Sequence, residues 1–247
     1  INTRKIFHLE IIMDFYVSNL QTAIFITNLD FSNKIGFISQ LNQETDNLFD
    51  GDPIILPIPN DAPPEVPRII LKSQDDSYTL NLCQNRVDLF YNERDLKNFS
   101  PTHSLSELIP DMLDKSNSLI QSLKKLMSVR IIRLGFIVTL EWITLESASV
   151  YLKELFIKEK PLVNKIYDLN IEFLKKQTIN SINSNIWFKV KPIRIEGDAR
   201  DDKIILVQFD INTEADEFLN LDIKDAYNYL VAASSYIENN LTNYLED

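Results

Sequence analysis

The sequence predicts an α+β fold of two pseudo-repeated β-α-β-β-β-α units, with antiparallel sheet or sheets and long helices packed on one face. Three observations predict it. The order strand, helix, three strands, long helix is read from about residue 21 to 126, and again from about 130 to 247. The strands alternate apolar and polar residues, as a half-buried sheet requires. The helix closing each run carries one apolar stripe at helical spacing. The halves are expected at 1–128 and 129–247, together forming one compact unit. The residues themselves do not repeat, so the duplication is one of layout.

The segments 5–17 and 21–30 are rich in Ile, Phe, Val and Thr, and Asn19 between them reads as the turn of a hairpin. Ser32 is placed as the N-cap of a helix that buries Ile35, Phe37, Ile38 and Leu41 and runs to about Phe49. Residues 50–67 form the clearest irregular segment. Six prolines between positions 53 and 67 exclude helix and central strand. Ile54, Ile55, Leu56, Ile58 and Val66 make it too apolar for a flexible linker, so an ordered arm over the sheet edge is expected.

Three strands follow at about 68–73, 77–83 and 86–91, with turns at Asp75-Asp76 and Gln84-Asn85. Ser104-Leu-Ser-Glu107 is a capping-box pattern. Pro110 would break a helix interior, so a short turn ending near Ile109 is expected before a helix of about 111–126. Met112, Leu113, Ser116, Leu119, Ile120, Leu123 and Met127 form its stripe.

The second half opens on a long strand from Arg130 to Trp142. Thr144 is read as the cap of a helix carrying Ala148, Val150, Tyr151, Leu155 and Phe156. Strands are expected at about 163–176, 184–195 and 203–211, with Gly197 to Asp202 as a polar turn. Asp222 caps a last helix through Tyr227, Leu230, Val231, Ser234, Ile237 and Leu241.

Composition excludes several classes of function. Only 4 of the 247 residues are glycine, which leaves little material for a Gly-rich phosphate loop. A formal net charge of −11 opposes binding to nucleic-acid phosphates or an anionic membrane surface. The densest basic clusters are Lys124-Lys125 with Arg130 and Arg133, and Lys189-Val190-Lys191 with Arg194. Both read as helix ends and outward strand positions. The single cysteine, Cys83, forms no internal disulfide, which fits a cytoplasmic protein. It reads as a strand residue without an activating partner. No run reaches the length of a membrane span. Glu10 interrupts the apolar run near the N-terminus that a signal peptide would need. The chain begins at Ile1, which leaves the origin of the first dozen residues open.

Chemistry-bearing motifs are scarce. The two histidines are His8, in an apolar strand, and His103, in a Pro-Thr-His-Ser loop. They supply no His-rich zinc site, and no Gly-x-Ser-x-Gly elbow supports His103 and Ser104 as base and nucleophile. Asp210-Ile-Asn212-Thr-Glu214-Ala-Asp216 has the opening of a calcium loop but carries Ala215 and Leu221 where Gly and Glu belong. The acidic turn Glu196–Asp202 is a weak magnesium candidate. Trp142, Trp187 and most phenylalanines read as core, and only Trp187-Phe188-Lys189-Val190-Lys191 approaches a base-stacking platform. No residue is assigned a catalytic, cofactor-binding or metal role, and no cofactor is implied.

Three passages carry a resemblance. Pro67 to Ser73 with Asp75-Asp76, Arg130-Ile-Ile-Arg133-Leu-Gly135-Phe, and Leu206-Val-Gln-Phe-Asp210-Ile-Asn212 resemble a sporadically distributed prokaryotic family of uncharacterised proteins of about this length. That family usually has an Asp pair in its last strand, where Asn212 here replaces the second acid. The resemblance implies an α+β layout and no activity. The layout also resembles TATA-binding-protein-like and helix-grip architectures, a likeness of shape that carries no function.

The function expected first is a non-enzymatic protein-interaction or adaptor module, with a protein partner or a homodimer. The alternative is a small-molecule binder or unrecognised enzyme with a cavity between sheet and helix. Nucleic-acid binding comes last because of the acidic charge, and no membrane association is expected.

Overall fold

The computed structural model describes residues 15–27, 29–59, 61–92, 104–157, 169–194, 202–215 and 219–245. Nine strands and four helices alternate along them. They are β1 (Phe15–Ile26), α1 (Lys34–Glu44), β2 (Ile54–Ile55), β3 (Ile69–Lys72), β4 (Tyr78–Leu82), β5 (Arg86–Asn92) and α2 (Leu105–Leu126). After them come β6 (Ile131–Ile143), α3 (Ala148–Phe156), β7 (Ile171–Ile179), β8 (Ile182–Ile193), β9 (Ile204–Thr213) and α4 (Ile223–Asn240). A 3-10 turn at Thr242–Tyr244 follows α4.

All nine strands join one antiparallel sheet in the order β2-β3-β4-β5-β1-β6-β9-β8-β7. This corrects the expected pair of repeated units. The class is α+β and the pairing antiparallel, but the structure is a single sheet with four helices. The central pairing of β1 with β6 runs from Phe15 opposite Trp142 to Ile26 opposite Ile131. It fuses both parts of the chain into one hydrogen-bonded surface. The two parts also differ in content: the first adds β2 at the sheet edge, and α1 packs on α2 whereas α3 packs on β8.

One face of the sheet is apolar and covered by helices. Leu20 and Ile24 of β1, Phe136 and Val138 of β6, Phe188 of β8 and Phe209 of β9 are all fully buried on it. Two buried hydroxyl contacts fix the long helices there. Thr22 of β1 meets Ser116 of α2 at 2.8 Å, and Ser184 of β8 meets Tyr229 of α4 at 3.0 Å. Burial pushes the Tyr229 phenol well above its usual range. Trp142 against Tyr151, and Phe188 against Phe156, seat α3 on the same face.

Several boundaries differ from the sequence reading. Asn19 makes no turn. β1 runs through it with a bulge between Val17 and Asn19, and the Asn19 amide donates to Tyr91 O at 3.0 Å and Asn92 Oδ1 at 2.8 Å. Asn33, not Ser32, caps α1 by accepting from the Gly36 N–H, while Ser32 donates to Asp30. Ile35 points outward, 75% exposed. α2 is one helix that continues through Pro110. Glu107 accepts the Ser104 N–H at 2.7 Å as the capping box requires, and Ser106, whose carbonyl the proline leaves without a helical donor, lies on the exposed side. Ser147 rather than Thr144 precedes α3, because the Thr144 hydroxyl donates to Glu146 O and Lys203 O. β7 continues to a tight turn at Asn180 and Ser181, both in the left-handed region at φ 47° and 65°. Asp222 caps α4 as expected, accepting from Asp225 N at 2.7 Å.

The proline-rich segment is an ordered edge. Ile54-Ile55 pairs with β3, and Leu56 N donates to Arg68 O at 3.0 Å. Gly51 N donates to Lys72 O at 2.9 Å, and a Cβ on Gly51 would sit at that same short distance from the carbonyl. Only glycine permits so close an approach. Among the described residues no helix is long and apolar enough to cross a membrane.

Candidate functional site

The sheet face opposite the helices carries the functional candidates. Strand alternation dictates its content: where Thr22, Phe136 and Ile211 enter the core, their neighbours must point the other way. Register then sets a polar row across six strands: Asn81, Asp88, Ala23, Gly135, Asn212 and Asn185. A second row contains Phe90, Gln21, Ile137, Asp210 and Trp187. On the other side of the first row, Arg86 and Arg133 flank Phe25.

The small residues Ala23 and Gly135 leave a depression at the middle of this face. It is a hollow of about 290 Å³, walled by Gln21, Phe25, Arg86, Arg133, Gln208, Asp210 and Asn212. The Arg86 and Arg133 guanidinium carbons stand 5.6 and 4.7 Å from the Phe25 ring centroid. Phe25 is thus held in a double cation–π clasp.

Hydrogen bonds fix most of the polar wall. Arg86 Nε pairs with Asp88 Oδ2 at 2.7 Å, and Gln21 Nε2 donates to Asp88 Oδ1 at 3.0 Å. Asp88 is only 1% exposed, and burial raises its carboxyl above the ordinary range although Arg86 and Gln21 pull the other way. Burial outweighs pairing here. Asn212 accepts from Arg133 Nη2 at 3.4 Å and from Asn185 at 3.4 Å, and donates to Asp210 Oδ1 at 2.9 Å. Arg133 Nε donates to Thr213 O at 3.2 Å. Among the described residues Arg133 forms no ion pair, so its charge meets only neutral acceptors.

The candidates named from sequence fare differently. His8, His103, Asp216 and the Glu196–Arg200 stretch with Asp201 lie outside the described residues. Asp210 and Asn212 occupy regular strand, and Glu214 pairs with Lys176 at 2.8 Å, so no calcium-type loop forms over Asp210 to Ala215. Among the described residues no three His, Cys, Asp or Glu side chains converge as metal ligands do. Cys83 is buried just after β4, where desolvation pushes its thiol up to about 11. The basic cluster at 124–133 is divided: Lys125 pairs with Glu44 at 2.6 Å, Lys124 donates to Leu221 O at 2.7 Å, and Arg133 belongs to the open face. Trp187 and Lys189 lie on that face too, whereas Phe188 and Val190 between them are core.

The sequence reading missed Gln21, Arg86 and Asp88, and it read Phe25 as core, whereas Phe25 is half-buried on the face opposite the helices. A signal existed: a buried strand that reads Arg86-Val-Asp88-Leu puts two charges on one face. Arg133 and Gly135 of β6 meet Asp210 and Asn212 of β9 in the hollow.

No protein-family model matches the chain, and no curated protein matches it either. Fold and site alone define its class: an α+β protein with one helix-covered sheet face and one polar, hydrogen-bonded face that no described helix covers.

Proposed function

We propose that the chain is a non-enzymatic interaction module, an adaptor that seats a partner protein on the open face of its sheet. The observation that carries this reading is the Arg86–Phe25–Arg133 clasp beside the hollow. Arginine and aromatic side chains dominate the energetics of protein interfaces, especially in pockets ringed by fixed polar groups. The hydrogen-bonded wall is already ordered, which lowers the entropy lost on docking. Arg133 offers its charge to a carboxylate on the partner. Neutral acceptors hold it in place without cancelling that charge.

A ligand cavity between sheet and helix is the competing arrangement. The side chains of Phe136, Phe188, Phe209, Leu20 and Ile24 occupy that space and are fully buried. The hollow at Arg133 opens on the other face, which favours docking. The lone thiol of Cys83 is compatible with a reducing cytoplasm, and we place the module there.

The test is partner capture compared across three proteins: the wild type, Arg133→Glu and Gly135→Leu. A protein retained by the wild type and lost by both folded variants is expected. Identical capture by all three would sink the proposal.

A further inference from the structure

We infer that the hollow between the start of α1 and the proline-rich arm is a second binding site, one for a phosphate group. Arg68 supplies the first reason. It is 3% exposed, and its Nη2 donates to Ala62 O at 3.1 Å and to Gln84 Oε1 at 3.4 Å. Its Nη1 is buried with no acceptor among the described residues, and no carboxylate there pairs with it. A buried cation hydrogen-bonded only to neutral oxygens leaves its charge unpaired and calls for an anion nearby.

The space for one exists. A hollow of about 420 Å³ is bordered by Arg68 and Gln84 on one side and by Ser32 and Lys34 on the other. It meets the N-terminus of α1, an 11-residue helix with no acidic residue in its first turn. That helix end is positive, and Asn33 caps only the Gly36 N–H there. Lys34, the first helical residue, adds an ammonium where the helix dipole disfavours one. Arg68, the helix terminus and Lys34 therefore border one hollow in a chain whose net charge is −11.

Asp30 also borders the hollow and opposes an anion. Its oxygens are occupied by Ser32: Oδ1 accepts the N–H at 2.8 Å and Oδ2 the hydroxyl at 3.1 Å. Three positive contributions stand against that one engaged carboxylate. The volume exceeds what inorganic phosphate fills, so the shared chemistry is a phosphate group, free or carried as a small monoester.

The experiment is a titration of the whole chain with inorganic phosphate and with glycerol 3-phosphate, at ionic strength matched by sodium chloride. Thermal unfolding and the amide signals of Lys34 and Ile35 are the readouts. Once the ligand exceeds its Kd about tenfold, a rise in Tm of about 3–5 °C is expected. The shift should vanish in Lys34→Glu and Arg68→Met and persist in Arg133→Glu, which lies on the sheet's other site. Tighter binding of the ester assigns a phosphate monoester, and tighter inorganic phosphate assigns the free ion. If Arg68→Met fails to fold, Lys34→Glu and the amide signals decide. A wild type that responds to neither ligand overturns the inference, as does a Lys34→Glu variant that responds like the wild type.

Discussion

Arg133 and Asp210 stand on neighbouring strands and share one side chain, Asn212, which accepts from the first at 3.4 Å and donates to the second at 2.9 Å. A neutral amide thus bridges a cation and an anion that form no ion pair with each other among the described residues. Asn212→Asp tests what that arrangement does. The new carboxylate would pair with Arg133 and repel Asp210, so stability should change by no more than about 1 kcal/mol. Partner capture should fall at least tenfold, because the Arg133 charge is then consumed internally. Urea denaturation and capture on the same sample measure both. Unchanged capture would remove Arg133 from the interface.

Gly135 separates the shape of the hollow from its charge. A Cβ there would meet Ala23 Cβ at 3.5 Å and Asn212 Cβ at 3.6 Å, both ordinary contacts. Gly135→Ala should therefore fold normally and gain up to about 1 kcal/mol from reduced unfolded-state entropy. Gly135→Leu should fold as well, since the added atoms project into open space, but it should fill the hollow. Capture retained by the alanine variant and lost by the leucine variant is expected. Equal loss in both would point to the backbone rather than to the volume of the hollow.

Asp88 predicts a pH dependence. Its folded-state carboxyl lies above the ordinary range, so between the unfolded and folded pKa values the native state binds more protons than the unfolded state. Stability should then decline as pH rises through that window, the reverse of the usual salt-bridged aspartate. Asp88→Asn removes the titrating group and should flatten that segment of the profile. It also loses the ion pair to Arg86, whose side chain is one-third exposed. Denaturation midpoints of both proteins across the acidic range supply the comparison. A wild-type profile that rises through the window would show pairing outweighing burial at Asp88.

The sequence exposed most of the framework, and the gaps have physical causes. Strand alternation and caps were legible where one local rule acts alone, as at Asp222, or at Glu107 in the capping box. They misled where tertiary pairing decides. Asn19 looks like a turn, but β5 and β6 pair on both sides of β1 and carry the chain straight through, leaving only a bulge. The two repeated units were inferred from element order, which cannot report whether strands join one sheet or two. The open-face site was hidden for a similar reason. Gln21, Asp88, Arg133 and Asp210 are distant in sequence, and only register unites them. The outward strand position of Arg133 is legible from alternation, but which residues of β1, β5 and β9 stand beside it is not.

The misjudged break at Pro110 yields a direct stability test. Proline within a helix forfeits one hydrogen bond and crowds the carbonyl four residues earlier, here Ser106. Both residues lie on the solvent side of α2, so water can serve the freed carbonyl while Leu108, Ile109 and Met112 anchor the helix from below. Pro110→Ala restores the N–H and relieves the crowding, a gain bounded by about 3 kcal/mol. Part of that gain is lost because alanine frees the unfolded chain, by up to about 1 kcal/mol. A net stabilisation of about 1–2 kcal/mol is expected, read as a higher urea midpoint with an unchanged slope. A destabilised variant would mean that the Pro110 ring is part of the packing that starts α2.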